Sequence, residues 1–369
     1  MPVDRASASR DRSPGGLSPD RQEAAITVAE LGEFGLIAAI QGLLPPDRAL
    51  LLGIGDDAAV VSAPDGRVAA TTDLLVEGRH FRRDWSAPFD VGVKAAAQNM
   101  ADVAAMGAVP TALLIGLAAP GDLPVDWALD FVRGLAAESR RGGASVAGGD
   151  VTGSDTLMLA ITALGDLEGR APVTRAGARP GDVLAVAGRL GWSAGGLALL
   201  AAGRGGPPGS DQPGEDLPGE DQPAAGDQAS GLAALVSAHR RPQPRYPAGP
   251  EAARLGATSM IDVSDGLIQD LEHVAAASGV CLDIDTVRLE AGPALRSAAA
   301  VLRSAAMALG ADWLDWVLTG GEDHALAATF PAGRPLPDGW AVIGAARAGS
   351  GVLVDSRPRP GPGGWSHFR

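Results

Sequence analysis

The chain has 369 residues, 46% of them hydrophobic and only 4% aromatic, which fits two domains of ordinary size with cores of Ala, Val and Leu. A formal net charge of −14 disfavours a nucleic-acid partner, and no apolar run approaches the ~20 residues of a membrane span. The single cysteine, Cys281, excludes an intramolecular disulfide and fits a reducing, cytoplasmic setting.

Residues 1–25 are rich in Ser, Arg, Asp and Pro, without the apolar stretch of a signal peptide, and are expected to form a disordered tail. Order begins near Ile26, with a short helix that ends before Pro45-Pro46. Strand-like runs follow at 50–52, 58–61 and 68–71. Residues 91–106 hold Ala, Val and Met without a breaker, which predicts a helix. Lys94, Gln98 and Asp102 are four apart and share one face of it. A strand at 111–117, an amphipathic helix at 125–141 closed by Gly142-Gly143, and strands at 144–147 and 157–164 complete an N-terminal unit, 26–167. A second unit, 168–369, opens with a strand at 182–186 and a glycine-rich turn at 191–196 leading into a helix at 197–202. Residues 203–231 repeat Asp-Gln-Pro and Pro-Gly-Glu-Asp; this acidic, low-complexity insert has nothing to pack and is expected to be solvated. A strand at 259–261, a helical stripe of Leu267, Ile268, Leu271, Val274 and Ala275, and strands at 282–284, 325–330 and 341–343 follow. The fold class is α+β in two domains.

Carboxylates recur where apolar runs meet glycine or a hydroxyl residue: Gly53-Ile54-Gly55-Asp56-Asp57, Thr71-Thr72-Asp73, Gly148-Gly149-Asp150, Asp262-Val263-Ser264-Asp265-Gly266 and Gly320-Gly321-Glu322-Asp323. Each is expected at a strand end, where it would place a hard oxygen on flexible backbone. The first segment matches a dinucleotide-binding pattern in letters only. Two aspartates would face the pyrophosphate, and a strand rather than a helix N-terminus follows. An acidic turn and a metal ligand fit it equally. Taken singly, Thr71-Thr72-Asp73 and Gly148-Gly149-Asp150 read as turns, Asp265 as a helix N-cap, and His80 as a surface or core histidine. Asp102 is different: on an Ala/Val/Met helix its charge is costly unless paired, with Lys94 for example, or bound to metal.

A phosphate loop of the Gly-Lys-Ser/Thr type is excluded, because Lys94 is the only lysine. Scattered histidines and one cysteine exclude a closed zinc site. Many carboxylates with few histidines and no thiol cluster select Mg²⁺. Carboxylates facing a polyphosphate repel it unless cations bridge the two, so the joint reading is metal-assisted phosphoryl transfer.

Segments 32–37, 53–60, 71–81, 94–107, 148–152, 174–182, Arg245-Tyr246-Pro247, 261–271, 320–323 and Trp365-Ser366-His367-Phe368 carry a family resemblance in their order and spacing. The chain resembles the thiamine-monophosphate kinases of the AIR-synthetase-like (PurM-like) superfamily. The resemblance implies ATP-dependent phosphorylation of thiamine monophosphate to thiamine diphosphate. It also implies a homodimer in which the N-terminal domains join into a β-barrel, and a C-terminal α/β sandwich-like domain. By motif match, Asp57, Thr71, Thr72, Asp73, Asp102, Asp150 and Asp262 would hold Mg²⁺ and Asp265 a further ion. Gly149, Asp150, Arg175 and Ser264 would contact ATP. His80, Glu322 and Trp365 would contact the thiamine phosphate. No residue is needed as a general base. Three features depart from the pattern: the acidic insert, Thr71 where Ser is frequent, and His324 where Tyr is frequent. Rivals are another PurM-like ATP-dependent synthetase, or a non-catalytic module that binds Mg-nucleotide and releases no ADP. A selenophosphate enzyme would carry its reactive Cys near the N-terminus, far from Cys281.

Overall fold

The computed structural model describes residues 26–44, 50–52, 60–209, 228–292, 295 and 298–365. The sequence is read into elements in the following order. Helices α1 (Val28–Leu31) and α2 (Glu33–Leu43) precede short strands β1 (Leu50–Leu52) and β2 (Val60–Val61), which pair only with each other among the described residues. Strand β3 (Ala69–Val76), helix α3 (Pro88–Ala105), strand β4 (Val109–Ala119), helix α4 (Val125–Gly142), and strands β5 (Ser145–Gly153) and β6 (Met158–Asp166) form the next layer pair. The sheet order is β3-β6-β4-β5, mixed, with only β4 and β5 parallel. α3 and α4 cover one face. Alternating burial along β3, β4 and β6 leaves the other face half open, and Leu74 on it is 53% exposed.

The chain then enters β7 (Val183–Ala187), α5 (Trp192–Ala201), α6 (Gln228–Arg240), α7 (Ala248–Leu255), β8 (Ser259–Asp262), α8 (Leu267–Ser278), β9 (Cys281–Ile284) and α9 (Thr286–Ala291). Helices Ala299–Leu309 and Trp313–Thr319 lead to β10 (Leu326–Phe330), β11 (Trp340–Arg347) and β12 (Gly351–Val354). The sheet order is β12-β9-β11-β7-β10-β8. Its central strands are apolar on both sides because both faces are covered. Ala185, Ala187, Met260, Ala328 and Phe330 share a core with α3, α4 and the first sheet, whereas Leu184, Val186, Ile261 and Ala327 pack against α5, α6 and α8. α3 therefore lies between the two sheets, which explains its run of small residues: nearly every position on it is buried.

Three of the expected strand ends fall elsewhere. Thr71-Thr72-Asp73 lies in the middle of β3. Threonine suits a pleated strand, and β3 is an edge strand whose outward Asp73 N–H donates to the Asn99 side chain (3.0 Å) instead of to a ladder. Gly148-Gly149-Asp150 is not a turn but part of β5. A Cβ on Gly149 would sit 2.0 Å from the Ile115 carbonyl oxygen, so only glycine lets this edge close onto β4. The run before Gly320 is a helix, Trp313–Thr319, not a strand. β8 does end at Asp262 as expected.

Candidate active site

α3 links two clusters of charge. Its Asp102 carboxylate accepts from the Thr71 hydroxyl (2.8 Å), and its Asn99 accepts from Asp73 while donating to the Ala95 carbonyl. Its Lys94, almost fully buried, reaches across to Glu322 (3.1 Å) on the other half of the molecule. Lys94 is thus not the partner of Asp102. Helical spacing put Lys94 and Asp102 on one face, but each is matched by a group far away in sequence.

The first cluster gathers Asp102, Asp73 and Asp262. Burial, then the charges of Asp262 and Asp73, push the Asp102 carboxyl up to about 7 despite the Thr71 hydrogen bond. His324 is the nearby counter-charge. Its Nδ1 lies 3.1 Å from Asp262 Oδ2; burial works against its charged form, but that bond and the surrounding carboxylates outweigh it and raise its pKa. The loop that carries His324 is tense: Glu322 and His324 both hold positive φ, 63° and 51°. Such conformations persist where surrounding contacts impose them. Here Glu322 N–H donates to the Ser264 carbonyl and His324 N–H to the Val263 carbonyl, extending the β8–β10 pairing. Gly321 permits it, since a Cβ there would lie 2.2 Å from the Ser264 carbonyl oxygen.

The turn after β8 is organised by a residue that the sequence did not single out. Asp265 is not the N-cap of α8; Gly266 occupies that place, with φ 144°. The buried Asp270 carboxylate reaches back from the first turn and accepts from the Asp265 and Gly266 amides, both at 3.0 Å. Burial and the nearby Asp262 push Asp270 up to about 7. Asp265 itself accepts from Gln269, and its carbonyl accepts from the amide of Trp365, an exposed indole that the end of the described chain lays against this turn.

The second cluster is built on Glu322. Burial would raise its carboxyl, but Lys94, by charge and hydrogen bond, together with His239 and His324, outweighs that and holds it at about 2. His239 on α6 and Ser193 at the start of α5 complete the group, with Ser193 Oγ 3.0 Å from His239 Nδ1. Burial, helped by Lys94, pushes His239 down to about 3, so its ring is neutral. Asp323 accepts from the Ser193 amide (2.9 Å) and is itself raised to about 7 by burial. Asp323 closes the acidic segment Gly320-Gly321-Glu322-Asp323, and Gly191-Trp192-Ser193-Ala194-Gly195 has the letters of a G-x-S-x-G pattern, but His239 and Asp270 gave no motif.

The remaining candidates are more dispersed. Strand register puts Thr72 and Asp150 on the open face, with Leu74 and Gly116, opposite to Thr71 and Asp73. Thr72 and Thr162 hydroxyls are hydrogen-bonded there (3.1 Å). Gly149 and Asp150 border an apolar cavity of about 60 Å³ between α2, α4, β4 and β5, lined also by Ile37, Ile115 and Phe131. Arg175 is exposed and makes no ion pair among the described residues. His80 sits in the turn after β3, its Nδ1 accepting from the Val76 amide (3.0 Å). Ser264 lies between Asp262 and Asp265. Asp57 lies outside the described residues, as does the segment Ser366-His367-Phe368.

Among the described residues, no group of three or more His, Cys, Asp or Glu closes tightly enough to hold a metal alone. The mutual repulsion at Asp102 nevertheless marks an excess of hard oxygen donors over cations. Mg²⁺ suits this set: it takes one or two carboxylates, keeps waters and adds substrate phosphate oxygens. Among the described residues, no helix is long and apolar enough to cross a membrane.

The chain is similar to known proteins in sequence and in fold. Residues 55–167 match the family described as AIR synthase related protein, N-terminal domain. The chain is 46% identical over 344 residues to the thiamine-monophosphate kinase of Mycobacterium tuberculosis strain H37Rv, covering 93% of each protein. A crystal structure of the thiamine-monophosphate kinase from Stenotrophomonas maltophilia K279a superposes with TM-score 0.71 at 31% identity, over 87% of this chain and 96% of that one. A structure described as AaThiL complexed with AMPPCP and TMP gives TM-score 0.69 at 33% identity, over 93% of this chain and 99% of that one.

Proposed function

The chain belongs to the thiamine-monophosphate kinase family, and on that premise we propose that it transfers the γ-phosphoryl group of ATP to thiamine monophosphate, giving thiamine diphosphate and ADP. The observation that carries this reading is the crowding of Asp73, Asp102 and Asp262 beside the counter-charge of His324, which leaves Asp102 at about 7. A polyphosphate would be expelled from such a place unless divalent cations came with it.

The acceptor is a phosphate monoester whose second pKa is about 6, so it is largely ionised at neutral pH and needs no general base. What the protein must supply is in-line placement of two anions. Asp57, Thr71, Thr72, Asp73, Asp102, Asp150 and Asp262 would hold Mg²⁺, and Asp265 a further ion. Held by these residues, Mg²⁺ would neutralise charge on the phosphoryl oxygens. Gly149, Asp150, Arg175 and Ser264 would contact ATP. Arg175 has no ion pair among the described residues, so its charge would be available for phosphate. His80, Glu322 and Trp365 would contact the acceptor; the contact of Trp365 with the Asp265 turn supports placing it beside the reacting phosphates.

A second copy of the chain is proposed as partner. The half-open face of the β3-β6-β4-β5 sheet, with Leu74 outward, is the surface that would close into a shared barrel. The units 26–167 and 168–369 are proposed as its domains, and the cytoplasm as its compartment. The test is direct: purified protein with Mg-ATP and thiamine monophosphate must yield thiamine diphosphate, while free thiamine, which lacks the ionised acceptor oxygen, must not. Release of no ADP with thiamine monophosphate overturns the proposal.

A further inference from the structure

We propose that Ser193 and His239 are positioning residues that fix the carboxylate of Glu322 for the thiamine-phosphate acceptor without touching the acceptor themselves. This deepens the reading above and rests on it for the place of Glu322.

The geometry is asymmetric. Three groups converge on one oxygen of Glu322, its Oε2: Lys94 Nζ at 3.1 Å, His239 Nδ1 at 3.3 Å and Ser193 Oγ at 3.4 Å. No described residue binds Oε1. Ser193 and His239 are buried, 1% and 5% exposed, whereas a third of the Glu322 side chain remains open. One oxygen is thus pinned from behind and the other is presented outward. That is the arrangement expected of a carboxylate that accepts from an N–H donor on a cationic heteroaromatic ligand.

Lys94 alone would neutralise Glu322 but would not orient it, because an ammonium on a four-carbon stem is a mobile point charge. Orientation needs groups with fixed direction. Ser193 is fixed because its amide donates to Asp323, the neighbour of Glu322, so the start of α5 and the loop 320–324 are tied together. His239 is fixed because α5 and α6 pack closely: a Cβ on Gly196 would be 2.9 Å from the His239 Cβ. The neutral His239 ring adds a directed polar contact and no second positive charge, so Glu322 keeps charge to offer the ligand.

Steady-state kinetics on the full chain decides the matter. Ser193→Ala and His239→Leu are expected to raise the KM for thiamine monophosphate about tenfold, the weight of a hydrogen bond to a charged group. The KM for ATP and kcat stay within about twofold, because uniform acceptor binding is what is lost. His239→Asn, which keeps a nitrogen near the Nδ1 position, is expected to restore most of the affinity. If His239→Leu does not fold, the smaller Ser193→Ala change carries the test. An unchanged KM for thiamine monophosphate in Ser193→Ala, or parallel changes in both KM values and kcat, overturns the inference. Failure of the wild-type chain to make thiamine diphosphate would instead overturn the function from which the inference starts.

Discussion

The two ends of one helix carry opposite electrostatic situations. Near its C-terminal end, Asp102 stands among Asp73 and Asp262, and its carboxyl is driven up to about 7. Near its N-terminal end, Lys94 meets Glu322 and helps to hold that carboxyl at about 2. The first region has acceptors in excess and suits the arrival of cations with their phosphates. The second is balanced from within and suits a fixed contact with an organic part of a ligand. A buried helix between two sheets sets the spacing between them, so two chemistries are held in register by a single rigid element.

Substitutions can break this contrast, and the largest effect is expected at Asp102. Asp102→Asn keeps an acceptor for the Thr71 hydroxyl but removes a charge. Turnover with Mg-ATP should fall by about 10²–10³, the usual scale for one lost electrostatic contact at a transition state. Its melting temperature in metal-free buffer should not fall, because repulsion is relieved; a large loss of stability would contradict the crowding. Gly149→Ala comes next. Its Cβ would meet the Ile115 carbonyl at 2.0 Å, which costs about 3 kcal/mol of overpacking, read by denaturant unfolding, and weakens ATP binding with it.

At the other end, Lys94→Met leaves Glu322 without its ammonium. Breaking a buried pair costs about 3 kcal/mol or more; with a third of Glu322 open to solvent, about 2 kcal/mol is expected in chemical unfolding. The KM for thiamine monophosphate should rise more than that for ATP. An effect of similar size is a pH dependence. His239 is held near 3 in the folded state, below the ordinary 6.5 of an unfolded chain. The unfolded state therefore binds the extra proton between those values, and stability declines as pH falls below 6.5. Going from pH 7 to pH 5 should cost about 2 kcal/mol through this group. His239→Gln should show a correspondingly flatter stability profile over that range; identical profiles would show that His239 titrates normally.

The lesson about reading the chain lies in the same residues. The helix of α3 was legible because Ala, Val and Met run without a breaker, and so was the face shared by Lys94 and Asp102. The partners were not: Glu322 lies 228 residues from Lys94 and Thr71 lies 31 from Asp102, and helical spacing carries no information about them. The strand-end rule read Asp262 correctly and misplaced Asp73 and Asp150, since it treated an acidic residue as a terminator. At edge strands such residues are tolerated, because the outward side needs no ladder. Asp270 escaped notice because its role, holding the Asp265 and Gly266 amides, depends on the turn that precedes it. Ser193 and His239 each look ordinary alone and acquire meaning only where α5, α6 and the loop 320–324 meet.

The account turns on Asp73 acting through cations on phosphate. The most direct measurement is the Mg²⁺ dependence of thiamine diphosphate formation by the wild-type chain and by Asp73→Asn at saturating ATP and acceptor. A variant whose turnover falls steeply and is recovered, if at all, only at much higher Mg²⁺ agrees with it. Full turnover by Asp73→Asn with the wild-type Mg²⁺ profile would contradict it.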